Sequence, residues 1–110
     1  ISFLAGLSNL ELLYIHDNNI SDISALAGLV NLEGLYLSTN NISDISALAG
    51  LTNLQWLYLR YNNISDISAL VNNAGLAGGD TVDLRDNPLS TGSMNVFIPQ
   101  LMAKGVTVSY

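Results

Sequence analysis

The chain carries an apolar ladder that recurs at a fixed period. LAGLSNLELLYIHDNNISDISA begins at Leu4, LAGLVNLEGLYLSTNNISDISA at Leu26 and LAGLTNLQWLYLRYNNISDISA at Leu48. A fourth copy opens at Leu70 and then changes. In the second copy the ladder is Leu32, Leu35, Leu37, Asn40, Ile42, Ile45, Leu48 and Leu51. Leu35-Tyr36-Leu37 alternates at period two. This predicts a short strand with both leucines on one side and Tyr36 on the other. Beyond Asn40 the apolar residues come every third position, which fits 3₁₀ or irregular turns better than an α-helix. Each unit therefore reads as one strand, a bend and a tight return, and a stack of such units buries each apolar edge against its neighbours.

The frame Leu32-x-x-Leu35-x-Leu37-x-x-Asn40-x-Ile42 is the leucine-rich repeat signature. It fits again at Leu10, Leu13, Ile15, Asn18, Ile20 and at Leu54, Leu57, Leu59, Asn62, Ile64. The run NNISDISALAGLxNL resembles the 22-residue repeats of bacterial internalin-like surface proteins, in which Pro often stands where this chain has Ala25, Ala47 and Ala69. The resemblance implies a leucine-rich repeat solenoid of the α/β class. Short parallel β-strands would line its concave face and 3₁₀ or irregular turns its convex side. It also implies a secreted or cell-surface bacterial protein.

Asn18, Asn40, Asn62 and Asn87 recur at the bend after each strand. A turning backbone strands N–H and C=O groups inside, and a side-chain amide can both donate and accept to satisfy them. These four are expected to form a structural ladder. Asp22, Asp44 and Asp66 would stack on the convex side. Capping of turn N–H groups is the expectation there, with Ca²⁺ as the alternative use of such a column. The three Asn-Ile-Ser sequons at Asn19, Asn41 and Asn63 suit turn backbones and are read as turn chemistry rather than glycosylation sites.

The end of the chain departs from the repeat. Aligning Asn87 with Asn62 makes Val82 and Leu84 inward residues of a fourth strand, after a longer loop holding Gly75, Gly78 and Gly79. Residues 90–110 then read as a C-terminal helical cap with a final strand. Ser90 or Thr91 would start the helix. Met94, Phe97, Ile98, Leu101 and Met102 would form one apolar face, with a kink or two short helices at Pro99. Lys104 and Gly105 would stop it, and Val106 to Tyr110 alternates as a fifth strand. The whole chain, 1–110, is taken as a single domain with repeats at 1–89. Ile1-Ser2-Phe3-Leu4 aligns with Ile23-Ser24-Ala25-Leu26, so a fragment of a longer protein is expected. Leu4, Leu7, Leu10 and Leu13 should be partly exposed at an uncapped N-terminal end that is prone to self-association.

Composition narrows the function. Acidic residues outnumber basic ones nine to three, for a net charge of -6. That excludes a phosphate-binding basic stripe, and with it nucleic acid, and favours basic over acidic partners. No apolar run reaches membrane-spanning length, so membrane insertion is not expected. Without cysteine there is no disulfide framework or thiolate site. His16 is the only histidine. It lacks a nucleophile and a pocket, so no catalytic residue, metal or cofactor is assigned.

What remains is the outward face of the strands. Leu12, Tyr14, His16 and Asp17 occupy it in the first copy, and Gly34, Tyr36, Ser38 and Thr39 in the second. The third presents Trp56, Tyr58, Arg60 and Tyr61, and the fourth Thr81, Asp83, Arg85 and Asp86. Tyr14, Tyr36 and Tyr58 should form a column ending at Asp83. Stacking between strands explains that column as well as binding does. Trp56, Arg60 and Tyr61 vary while the scaffold around them does not, and Trp, Tyr and Arg dominate binding hot spots. Arg60 and Arg85 would either clamp a carboxylate or pair with Asp83 and Asp86. The expected site is Tyr14, Tyr36, Trp56, Tyr58, Arg60, Tyr61, Asp83 and Arg85. The expected function is non-catalytic binding of a protein or peptide. A structural spacer or stalk, or carbohydrate binding through exposed aromatics, stands as the alternative.

Overall fold

The computed structural model describes residues 1–110. Five three-residue strands form one parallel sheet in chain order: β1 Leu12–Tyr14, β2 Gly34–Tyr36, β3 Trp56–Tyr58, β4 Thr81–Asp83 and β5 Thr107–Ser109. The pairing is in phase with the repeat, so Leu13, Leu35, Leu57, Val82 and Val108 share one row. That row faces the core, as the period-two alternation predicts. The returns are 3₁₀ turns at Ser2–Leu4, Ser24–Leu26 and Ser46–Gly50, and a single α turn, α1, at Ser68–Val71. The three-residue apolar spacing is met in full: Ile42, Ile45, Leu48 and Leu51 are all buried. Each buried leucine contributes about 2 kcal/mol of transfer free energy, and the coils supply these in register to one continuous core.

The asparagine ladder forms as expected. Asn62 Oδ1 accepts the Ile42 N–H at 3.0 Å, and its Nδ2 donates to the Leu37 and Leu59 carbonyls at 3.1 and 3.0 Å. Asn40 and Asn87 repeat the arrangement on the Ile20 and Ile64 N–H groups. Asn18 is exposed and donates only within its own coil, to the Ile15 and His16 carbonyls. Each asparagine thus stitches its coil to the one before, apart from the first.

Four further residues tie the coils together outside that ladder. Asn31 and Asn53 donate to the carbonyls of Ser8 and Val30, one coil back, both at 2.8 Å. Asn73, fully buried, donates to the Leu48 and Leu51 carbonyls and accepts from the Gly75 and Leu76 N–H groups. It pins the long loop against the third coil so closely that a Cβ on Gly75 would lie 1.8 Å from the Thr52 carbonyl oxygen. Ser93, also fully buried, donates to the Ser65 carbonyl at 2.7 Å and accepts the Ile67 N–H, tying the last helix to the coil beneath it.

That helix departs from the expected face. Ser90 starts it, its hydroxyl accepting the Ser93 N–H. The interruption near Pro99 takes the form of a π turn at Ser93–Phe97 running directly into α2, Ile98–Ala103. The wider turn adds a residue ahead of the proline, which has no N–H for an i→i−4 bond. It also shifts the phase of the side chains. Ile98 and Leu101 are buried and Phe97 half-buried, but Met94 and Met102 point to solvent. The predicted five-residue face is therefore corrected: the inner face is Ser93, Phe97, Ile98 and Leu101. Gly105, at φ 90°, ends the helix, with the Gly105 and Val106 N–H groups returning to the Met102 and Leu101 carbonyls. Lys104 Nζ caps the Val71 and Asn73 carbonyls.

At the other end, Leu7 is 48% exposed and Leu10, Ile15 and Ile20 are half-buried, whereas their counterparts one period later, Leu29, Leu32, Leu37 and Ile42, are sealed. Leu4 and Leu13 are better covered than expected, at 7% and 9%, because the second coil shields them.

Candidate functional site

The concave face is built from the strand residues that alternate with the buried row. Leu12, Gly34, Trp56 and Thr81 make one line across the sheet; Tyr14, Tyr36, Tyr58 and Asp83 make the next. The tyrosine rings stack: Tyr14 on Tyr36 at 4.2 Å and 10° between planes, Tyr36 on Tyr58 at 4.9 Å and 12°. Rings stacked along the solenoid axis turn their faces to one another and their edges and hydroxyls outward. Burial in this stack, with the neighbouring Tyr14 hydroxyl, raises the Tyr36 pKa above its ordinary 10.0. The column is thus partly scaffold, as cross-strand aromatic pairs are, and partly surface, since Tyr14 remains 57% exposed.

Gly34 has no side chain in the first line, and its neighbours lean into the gap. A Cβ there would lie 2.5 Å from Leu12 Cδ2 and 3.6 Å from Trp56 Cε3. Leu12 and Trp56 thereby bridge the second coil and bury Gly34, while Trp56 keeps 40% of its surface open.

A further line, Asp17, Thr39, Tyr61 and Asp86, lies at the rim. All four have left-handed backbones, with φ of 59°, 59°, 56° and 60°. This conformation costs roughly 1–2 kcal/mol for a residue with a Cβ. Each precedes a ladder asparagine, and the bend turns the chain from strand to return. At this bend Tyr61 stands 52% exposed, with the Arg60 guanidinium 4.7 Å above its ring centroid.

Both arginines pair internally, which decides between the two expectations for them. Arg60 Nε donates to Asp86 at 2.8 Å. Arg85 donates through Nε and Nη2 to both oxygens of Asp83, at 3.0 and 2.7 Å. The Arg85 pair holds the Asp83 carboxyl below its ordinary 3.8 despite burial. The pairs hold both guanidinium groups charged.

The structure thus brings Tyr14, Tyr36, Trp56, Tyr58, Arg60, Tyr61, Asp83 and Arg85 onto one face. The leaning of Leu12 over Gly34 was not foreseen; the missing side chain between two large ones was the signal. The largest depression, about 600 Å³, lies elsewhere, on the return side near Asp22 and Asp44. Its carboxylates already accept the Ser24 and Ser46 N–H groups at 2.9 Å, the capping role expected of that column, so the concave face is the better candidate.

The fold and face define a leucine-rich repeat protein, and comparison with known families agrees. Leucine-rich repeat models match residues 8–50, as two copies, and 53–73, together more than half of the chain, and the chain belongs to that family. Its repeats are internalin-like. Internalin C2 of Listeria monocytogenes superposes with a TM-score of 0.76 at 39% identity, over 99% of this chain and 46% of that one. Internalin inlF of the same organism gives 0.83 at 35%, over 100% and 33%. A leucine-rich repeat protein of Leptospira interrogans, at 20% identity and 0.74, covered to 33%, shares the fold alone. The chain thus spans less than half the length of these proteins. No curated protein matches it. Leucine-rich repeat domains are generally protein-interaction modules and typically non-catalytic scaffolds. No helix here is long and apolar enough to cross a membrane.

Proposed function

We propose that this chain binds a protein or peptide through its concave sheet, with Trp56, Tyr58, Arg60 and Tyr61 of the third coil at the centre. The observation that carries this is the pair of half-open rings, Trp56 and Tyr61, held on a rigid parallel sheet. Large aromatic surface that is already ordered loses little entropy on binding. The tyrosine column and the Asp83–Arg85 pair flank that centre. Sugar binding has less support, because stacking hides the tyrosine faces that a pyranose ring would need.

The test is selection of peptides from a random display library on the folded protein, followed by binding to a Trp56→Ala, Tyr58→Ala, Tyr61→Ala triple variant. Selected peptides should lose at least tenfold in affinity, about 1.4 kcal/mol, while the circular dichroism of the variant stays native. Peptides that bind the triple variant undiminished would place the surface elsewhere. Failure to select any binder would favour a spacer.

A further inference from the structure

We propose that the occupant of the concave face is a basic stretch of polypeptide, an inference that rests on the concave-face reading above. It starts from how the few cations are used. The chain has three Lys and Arg residues against nine Asp and Glu, and every cation is already engaged. Arg60 is held by Asp86 and leans on Tyr61; Arg85 is held bidentate by Asp83; Lys104 is committed to the carbonyls under the helix. Each guanidinium charge is already balanced by the carboxylate 2.7–2.8 Å from it, so an acidic partner gains little attraction there and meets the Asp86 or Asp83 carboxylate as a like charge.

A basic partner meets no such obstacle. Glu11 and Glu33 directly precede Leu12 and Gly34, and Asp17 follows β1 at the rim. None of the three pairs with Lys or Arg, and they stand at the two ends of the strands that carry the aromatic face: Glu11 and Glu33 at the start, Asp17 past the end of β1. Glu33 accepts only the Gln55 amide at 3.2 Å, and Asp17 lies 3.8 Å from His16. Carboxylates of one sign around an apolar floor concentrate field over that floor. Trp56, the best ring type for a cation, stands in the middle with its ring against Gly34. A Lys or Arg stem can lie on Trp56 and Leu12 while its charge reaches a flanking carboxylate.

Trp56 is the only tryptophan, so its emission reports this face directly. Three peptides of equal length, alternating Leu with Lys, with Glu or with Ser, are titrated against the whole chain, with calorimetry in parallel. The Lys peptide should change Trp56 emission, and its affinity should fall as salt is raised, because exposed charges are screened over about 10 Å at 0.1 M. The Glu11→Gln, Asp17→Asn, Glu33→Gln triple variant should bind it about tenfold more weakly. Glu11 and Asp17 are exposed, Glu33 is half-buried with only the Gln55 amide as a partner, which a Gln oxygen can accept equally, and Asn tolerates the left-handed backbone at 17, so the fold is kept. Equal or tighter binding of the Glu or Ser peptide at Trp56, or full affinity in that variant, would overturn the basic occupant while leaving the concave site standing. Lys-peptide binding seen by calorimetry with Trp56 emission unchanged would overturn the concave site itself. No binding by any peptide would overturn the proposal.

Discussion

Asn62→Ala should be the most damaging single change in the ladder, and its cost can be worked bond by bond. The Asn62 side chain accepts from one backbone N–H and donates to two carbonyls inside the coil stack. The carbonyls keep a second donor each: Leu37 retains Asn40, and Leu59 retains Asn87. The Ile42 N–H has no other acceptor in a position that is fully buried. Stranding one buried donor costs about 1–3 kcal/mol, and losing two donated bonds adds about 0.5–1.5 kcal/mol each. The sum is about 3 kcal/mol or more, which lowers the melting midpoint on the order of 10–20 °C for a chain of this size. Asn18→Ala is the internal control. Asn18 is exposed and makes no bond to another coil, so the same substitution should cost under about 1 kcal/mol. Asn62→Asp adds a second control: it keeps the acceptor but turns a carboxylate on two carbonyl oxygens, and should be at least as harmful as Ala. Urea unfolding followed by circular dichroism measures all three. Equal costs at Asn18 and Asn62, or a harmless Asn62→Asp, would refute the view that the amide's cross-coil bonds hold the bend.

Gly75→Ala should destabilise the chain by about 1–3 kcal/mol, because the new methyl would meet the Thr52 backbone rather than a yielding side chain; a urea midpoint unchanged from the parent would contradict the close approach of that loop. Hydrogen bonds from the Ser24, Ser46 and Ser68 N–H groups hold the Asp22, Asp44 and Asp66 carboxyls below their ordinary 3.8. Their stabilisation is therefore complete above about pH 4 and is lost as pH falls through the lowered folded values. Replacing all three by Asn should flatten the acid limb of a stability–pH curve, and an unaltered limb would argue against the capping role. The half-covered first coil should associate reversibly, so the sedimentation coefficient should rise with concentration, and Leu7→Asp should abolish the rise; a concentration-independent monomer would show that this end is sufficiently covered as it stands.

How much of this was legible in the letters follows from what repeats. A residue that recurs in phase, such as Leu35 with Leu13 and Leu57, states its direction several times over, and the structure places each such row as the alternation requires. Asn31 and Asn53 recur just as strictly, yet their role depends on reaching the preceding coil, and no strand or helix period marks that. Asn73 and Ser93 occur once each in their setting. A single buried polar residue in a Gly-rich loop or at a helix start looks the same in sequence as an exposed one. Met94 and Met102 were misplaced for another reason: a helical wheel assumes one pitch, and the π turn ahead of Pro99 changes it. On the concave face the tyrosine column was readable because it repeats. The internal pairing of Arg60 and Arg85 was readable only as one of two options, because the choice depends on rotamers that spacing leaves open.

The rim line links the ladder to the binding face. Asp17, Thr39, Tyr61 and Asp86 share one left-handed backbone yet have little else in common, and none is glycine. An acid, a β-branched residue and an aromatic can all stand there because the strain of roughly 1–2 kcal/mol at each is offset by the bonds of the asparagine that follows. Position 61 is then free to carry a large ring without regard to backbone preference, and it carries one at the centre of the proposed contact. The dependence has a cost. Tyr61 is aimed by Asn62, so an Asn62→Ala chain that stays folded in the cold should let the rim relax and misplace the ring. Its affinity for a concave-face peptide should drop although no contacting side chain has changed. Asn18→Ala, four residues from Tyr14 and without cross-coil bonds, should leave the same affinity intact. Peptide titration at low temperature, read through Trp56, compares the two; equal affinities would mean that the rim holds its shape without the ladder.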